Sequence, residues 1–288
     1  MTAGAPPRSV DIRPATRGDL AAIRTILAGH GNDGPVVYAD IVGPYVTHLI
    51  DRGGGQVAVV DEAIVGFGAS VDTGRSIHLA DLFVHPDRLG QGIGRPLLEA
   101  VFAGSRVRTT FASEDPRALP VYIRAGMQPL WPSLFLQGLT AMLPDPGARI
   151  RAEPATSDHL AALERDWTGF DRSADHRYWA TMAGADPFVV LDGAAVAGLG
   201  YGRIRQAAAI RVVDRLLIHP DADPVATTIA ALARAGQGGP VFACFLGVHP
   251  VVRPLLEAGF RIVDRDQFMT SDPEVVDPIR LVPNPGML

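Results

Sequence analysis

The sequence states one pattern twice. Pro14-Ala15-Thr16 returns as Pro154-Ala155-Thr156, and Leu20-Ala21-Ala22 as Leu160-Ala161-Ala162, both 140 residues later. Gly66-Phe67-Gly68 matches Gly198-Leu199-Gly200 at an offset of 132, and Phe83-Val-His-Pro-Asp87 matches Leu217-Ile-His-Pro-Asp221 at 134. Arg124-Ala-Gly-Met127 matches Glu257-Ala-Gly-Phe260 at 133. Five matches in one order at nearly one offset are not a chance product of an Ala/Gly-rich chain. They read as two copies of one domain, residues 1–146 and 147–288, joined at the Pro/Gly cluster Met142-Leu-Pro-Asp-Pro-Gly147. A length of 288 residues accommodates two such domains.

Each copy predicts the same element order. A short strand (Val10–Arg13; Arg149–Ala152) leads into a helix, capped in the first copy by Thr16 with Asp19 three residues on. A second helix covers about Tyr38–Arg52, and about His176–Met182 in the second copy. Three β-type runs follow: Gln56–Asp61, Ala63–Val71 and Ser76–His85, then Pro187–Leu191, Ala195–Ile204 and Ala208–His219. The first copy continues with helix Gly94–Ala103, strand Arg106–Ala112, helix Arg117–Ala125 and strand Leu130–Gly138. The expected class is α/β, with a mixed, mostly antiparallel twisted sheet flanked by helices in each copy.

All 26 basic residues are arginine, and only Asn32 and Asn284 are asparagine, a bias of GC-rich coding. The missing lysine excludes a Walker A phosphate loop, a protein kinase, and any Schiff-base or pyridoxal-phosphate enzyme. One cysteine, Cys244, excludes disulfide frameworks and Cys-rich zinc sites, and no metal-ligand set is read. Cys244 lies in the apolar run Val241–Leu246 and is expected to be buried and inert. A net charge of −5 without a basic run argues against nucleic acid as a partner. No apolar signal core opens the sequence and no stretch reaches the ~20 apolar residues of a membrane span, so a cytoplasmic protein without membrane partners is expected.

The sharpest motif is Leu82-Phe-Val-His-Pro-Asp-Arg-Leu-Gly90-Gln91-Gly92-Ile-Gly94-Arg95. An apolar strand meets glycines at alternate positions and then an amphipathic helix. Glycine lets successive backbone N–H groups converge, and the helix start adds its positive dipole end. Together they form a pyrophosphate cradle that needs no lysine. The spacing is G-x-G-x-G; Arg95 stands where a dinucleotide fingerprint would hold its last glycine.

On these residues the chain resembles the GNAT superfamily of acetyl-CoA-dependent N-acetyltransferases. Gly92 and Gly94 match the two small residues of the family's Arg/Gln-x-x-Gly-x-Gly/Ala signature, with Leu89 at its first position. Asp115-Pro-Arg-Ala118 with Tyr122 and Gly126-Met127 resembles the family's Asn-x-x-Ala…Tyr-x-x-x-Gly-Phe. The resemblance implies acetyl-CoA as cofactor. The backbone of Leu82 and Val84 would pair with its pantetheine arm, and Leu89, Gly90, Gln91, Gly92, Gly94, Arg95 and Asp115 would complete the site. The second copy resembles the same family in decayed form. Its turn, Asp221-Ala-Asp-Pro224, has no glycine and two carboxylates, and Leu255 stands at the tyrosine position. That copy is expected not to bind CoA in the usual way.

The resemblance implies direct acetyl transfer to a primary amine in the first copy, with Tyr122 protonating the leaving thiolate. The base is open. Ala80 stands where some members carry glutamate, Asp81 points to the other face of the strand, and His78 shares the face of Ala80. His78 is the candidate, with His85 a further option. Asp33, in the loop after the first helix, and Trp131 are the candidate acceptor contacts. The acceptor is a small-molecule or peptide amine, and the chain a monomer or homodimer. Two other readings stand beside this one: a non-catalytic acetyl-CoA-binding sensor, and an enzyme like the tandem mycothiol synthases.

Overall fold

The computed structural model describes residues 9–31, 43–104, 106–113, 115–205 and 209–288. The chain forms two compact units, Met1–Asp72 with Leu79–Arg106, and Thr73–His78 with Val107–Leu288. The expected boundary at residue 146 therefore divides the sequence repeat but lies inside the second unit. Among the described residues, no helix is long and apolar enough to cross a membrane.

In the first unit the sheet runs β1 (Asp11–Pro14), β2 (Gly55–Val60), β3 (Ala63–Asp72) and β4 (Ile77–Val84, from Leu79 onward in this unit). The β1–β2 and β2–β3 pairs are antiparallel. Helices α1 (Leu20–Ala28) and α2 (Gly43–Asp51) bury Ile23, Ile26, Leu27, Val46, Leu49 and Ile50. The expected cap is present. Asp19 accepts from the Thr16 N–H at 2.8 Å and from its hydroxyl at 2.9 Å, above a short 3-10 turn (Arg17–Asp19) that enters α1. Helix α3 (Gly94–Val101) lies on the sheet at Gly66 and Gly68. A Cβ at Gly68 would come within 2.9 Å of Val101 and one at Gly66 within 3.2 Å of Leu97. Glycine at these two strand positions lets the helix sit that close.

The second unit carries β5 (Arg108–Ala112), α4 (Ala118–Arg124), β6 (Gln128–Leu139), β7 (Ile150–Pro154), α5 (Ser157–Thr168), α6 (Ser173–Ala180), β8 (Asp186–Asp192), β9 (Ala195–Arg205), β10 (Ile210–Ile218), α7 (Pro224–Gly236), β11 (Pro240–Leu246), α8 (Val252–Glu257), β12 (Arg261–Thr270) and β13 (Leu281–Val282). Its sheet order is β5-β12-β6-β11-β10-β9-β8-β7, with β13 beside β10. Strands β10 and β11 pair in parallel, from Arg211–Val213 to Val241–Ala243.

The strand order reports an exchange that the repeat alone did not reveal. Strand β12 of the second copy lies between β5 and β6 of the first, and β6 pairs with β11 of the second. Strands β6 and β12 are counterparts in the repeat and pair antiparallel, Gln128 opposite Thr270 and Gln137 opposite Arg261. That ladder maps onto itself when the copies are interchanged. Each strand keeps one further edge, which the other copy's fifth strand takes. The core of this unit, with Leu136, Phe188, Leu216, Phe245 and Phe260 buried, draws on both copies.

A charged network is buried in the same unit. Glu164 accepts from both terminal nitrogens of Arg215, at 2.9 and 2.8 Å, and from His176 Nε2 at 2.8 Å. Arg172 pairs with Asp175 at 2.9 Å. The two guanidiniums lie 5.0 and 5.1 Å from the centre of the Trp179 ring. Cys244 is buried as expected, and burial pushes its thiol well above its ordinary pKa.

Candidate active site

In the first unit β4 ends in the turn that the glycine spacing predicts. His85 Nδ1 accepts from the Asp87 N–H at 3.3 Å, which ties His85 into a 3-10 turn (Pro86–Arg88). Gly90 and Gly92 follow with φ of 76° and 81°. A Cβ at either would meet open space, so the left-handed backbone, not packing, demands glycine. Helix α3 then starts with no side-chain cap on its first N–H groups. Pro96 lacks an N–H, which leaves Gly94 and Arg95 as open donors of the first turn. The far side of α3 is anchored by buried Leu97, Leu98 and Val101. This is the geometry from which an anion seat of backbone dipoles is built. Gln91 folds back to the Asp87 carbonyl at 3.2 Å, and Arg95 pairs with Glu99 at 2.9 Å in an exposed pair that a stronger anion can displace.

Two further contacts lie on β4. His30 donates from Nε2 to the Val84 carbonyl at 2.9 Å, and its ring lies 5.3 Å from that of Phe83. Asp81 shares a hydrogen bond with Tyr45 of α2. Burial raises the Asp81 carboxyl to about 7, against the opposing effect of the Tyr45 bond.

Residues 52–128 match the sequence model of the GNAT acetyltransferase domain. No curated protein matches the chain in sequence. A candidate acetyltransferase from Pyrococcus horikoshii superposes with a TM-score of 0.70 at 16% identity, over 97% of this chain and 94% of that one. A tandem GNAT protein from the clavulanic acid biosynthesis pathway superposes with a TM-score of 0.59 at 16% identity, over 92% and 100%. The chain shares the fold of these GNAT proteins, a tandem one included. A GCN5-related N-acetyltransferase from Anabaena variabilis shares the fold with a TM-score of 0.62 at 14% identity, over 91% and 72%.

The other residues singled out in the sequence lie in the second unit. His78 is fully buried. Its Nδ1 meets the Thr109 hydroxyl at 3.0 Å and its Nε2 the Pro285 carbonyl at 2.9 Å. Burial lowers its pKa to about 4, against the Pro285 bond. A ring with both nitrogens engaged and no solvent access is built for packing rather than proton exchange. Tyr122 lies on α4 and is 9% exposed. Asp115 accepts from the Arg117 backbone at 2.8 Å and side chain at 2.6 Å, closing the turn that starts α4. Trp131 stacks on Phe268 with ring centres 5.8 Å apart, a core contact. Asp33 lies outside the described residues.

The second copy repeats the local turn without the seat. His219 Nδ1 accepts from the Asp221 N–H at 3.3 Å, as His85 does from Asp87. Asp223 then caps α7, its Oδ1 accepting from the N–H groups of Val225 at 2.8 Å and Ala226 at 3.2 Å. No motif in the sequence points to His30, which follows the first helix by two residues. Strand alternation sets Asp81 aside, and only its placement against α2 shows why that face matters.

Proposed function

We propose that this protein, with its GNAT domain and tandem GNAT fold, transfers an acetyl group from acetyl-CoA to a primary amine, with the cofactor held by the first copy. The observation that carries this reading is the seat at Gly90, Gly92 and the uncapped start of α3, in the segment that matches the acetyltransferase family. The diphosphate would lie on the N–H groups of that turn and of Gly94 and Arg95. The pantetheine arm would follow the edge of β4 at Leu82 and Val84, replacing the His30 bond to the Val84 carbonyl.

The acceptor amine attacks only when neutral. Asp81 is the base in this reading, because a carboxyl raised to about 7 exchanges protons at neutral pH where an ordinary one does not. His78 drops out of that role. Tyr122 keeps the role the resemblance implies, protonation of the leaving thiolate.

Two observations favour the non-catalytic reading: Ala80 carries no carboxylate, and His78 is sealed in the core. The mycothiol-synthase-like reading is disfavoured by the capped, glycine-free turn of the second copy. Release of CoA thiol from acetyl-CoA, followed across amino acids, polyamines, aminoglycosides and peptides, separates them. Turnover with one amine class supports the transferase; tight binding with no turnover across the panel supports the sensor.

A further inference from the structure

Two positions that the proposed function gives to the cofactor in the first copy are met by the chain itself in the second. At the helix start, the Asp223 carboxylate takes the N–H groups of α7 that an anion would take. Along β10, Leu216 pairs with Val282 and Leu217 with Leu281, and the Ile218 N–H donates to the Arg280 carbonyl at 2.9 Å. Leu216 and Ile218 are the repeat counterparts of Leu82 and Val84. The same segment also reaches β10 next to that edge: Asp214, the counterpart of Ala80, accepts from Arg203 at 2.6 Å and from Asn284 Nδ2 at 2.9 Å.

The segment that does this is firmly held. Arg172 donates to the carbonyls of Met287 at 2.9 Å and Leu288 at 3.0 Å, and Arg215 Nε donates to Leu288 at 3.0 Å. Leu281, Val282, Met287 and Leu288 are all buried. Strand β13 falls after the last element of the repeat and has no counterpart in the first copy. It takes the edge of β10 just beyond the short stretch where β10 and β11 pair.

We propose that Arg280–Leu288 is a built-in occupant of the second copy's acyl-carrier cleft, closing that copy to acyl-CoA and leaving one carrier site per chain. This inference rests on the proposed function, since it takes the edge of β4 as the pantetheine site.

The test is hydrogen exchange and calorimetry on the full chain with acetyl-CoA as probe. Peptides covering 214–220 and 280–288 are expected to exchange on the order of 100-fold slower than when unfolded, unchanged by saturating acetyl-CoA. Calorimetry is expected to give one equivalent. The variant Leu281→Asp is expected to speed exchange in both peptides by about tenfold or more while the single equivalent persists. A second equivalent, new protection at 214–220 on adding acetyl-CoA, or unfolded-rate exchange of 280–288 in the wild type would overturn the closure. These readouts need no variant, so they stand even where Leu281→Asp fails to fold. A second equivalent would leave the first-copy reading intact; no equivalent at all would overturn that reading and the closure with it.

Discussion

Arg215 and Glu164 meet through two hydrogen bonds, at 2.9 and 2.8 Å, with neither side chain more than 5% exposed. Two charges removed from water are stable only while each has the other. Arg215→Met would strand the Glu164 carboxylate and is expected to destabilise the second unit by about 3–5 kcal/mol. Urea denaturation measures this. Arg215→Met combined with Glu164→Gln is expected to cost clearly less than the single change, and equal costs would count against the pair.

The same pair sets an acid limit. Burial alone would raise the Glu164 carboxyl, but Arg215, with the His176 hydrogen bond and Arg172, overcomes this and holds it below its ordinary 4.5. A carboxyl depressed in the fold contributes stability that is complete above its unfolded pKa. That contribution is lost as pH falls from 4.5 through the folded value. Melting curves below pH 4.5 should therefore fall steeply in the wild type and less steeply in Glu164→Gln; parallel curves would contradict the assignment.

Asp81 gives a pH signature of its own. A base must be deprotonated to act, so kcat/KM is expected to rise with pH through about 7, where burial places this carboxyl. Asp81→Asn should remove that limb and lower kcat/KM by about 10²–10⁴-fold. An unchanged profile would take Asp81 out of the mechanism.

Tyr122→Phe separates chemistry from binding. Loss of a proton donor that acts on the leaving thiolate should lower kcat well beyond any change in acetyl-CoA affinity. If kcat holds, Tyr122 is a packing residue.

How much of this was readable beforehand follows from which interactions are local. The Thr16–Asp19 cap, the Gly90 and Gly92 turn and the strand runs depend on neighbours a few residues away, so spacing alone located them. The exchange of β6 and β12 depends on which of two equivalent strands takes an edge, and both strands carry the same pattern. The clamp of Arg172 and Arg215 on residues 287 and 288 spans more than a hundred positions in one case and seventy in the other. Strand alternation puts His78 on the face of Ala80, but Thr109 and Pro285, remote in sequence, take both its nitrogens.

The central claim is the cofactor seat of the first copy, and Gly92→Asp tests it most directly. The substitution places a side chain at φ 81° and a negative charge where the diphosphate would lie, while its Cβ meets only open space. Calorimetric titration with acetyl-CoA is expected to show one equivalent in the wild type and an affinity lowered on the order of 100-fold or more in the variant, with its melting temperature lowered by only about 2–6 °C for the left-handed backbone. Acetyl-CoA affinity that survives Gly92→Asp unaltered would contradict the seat.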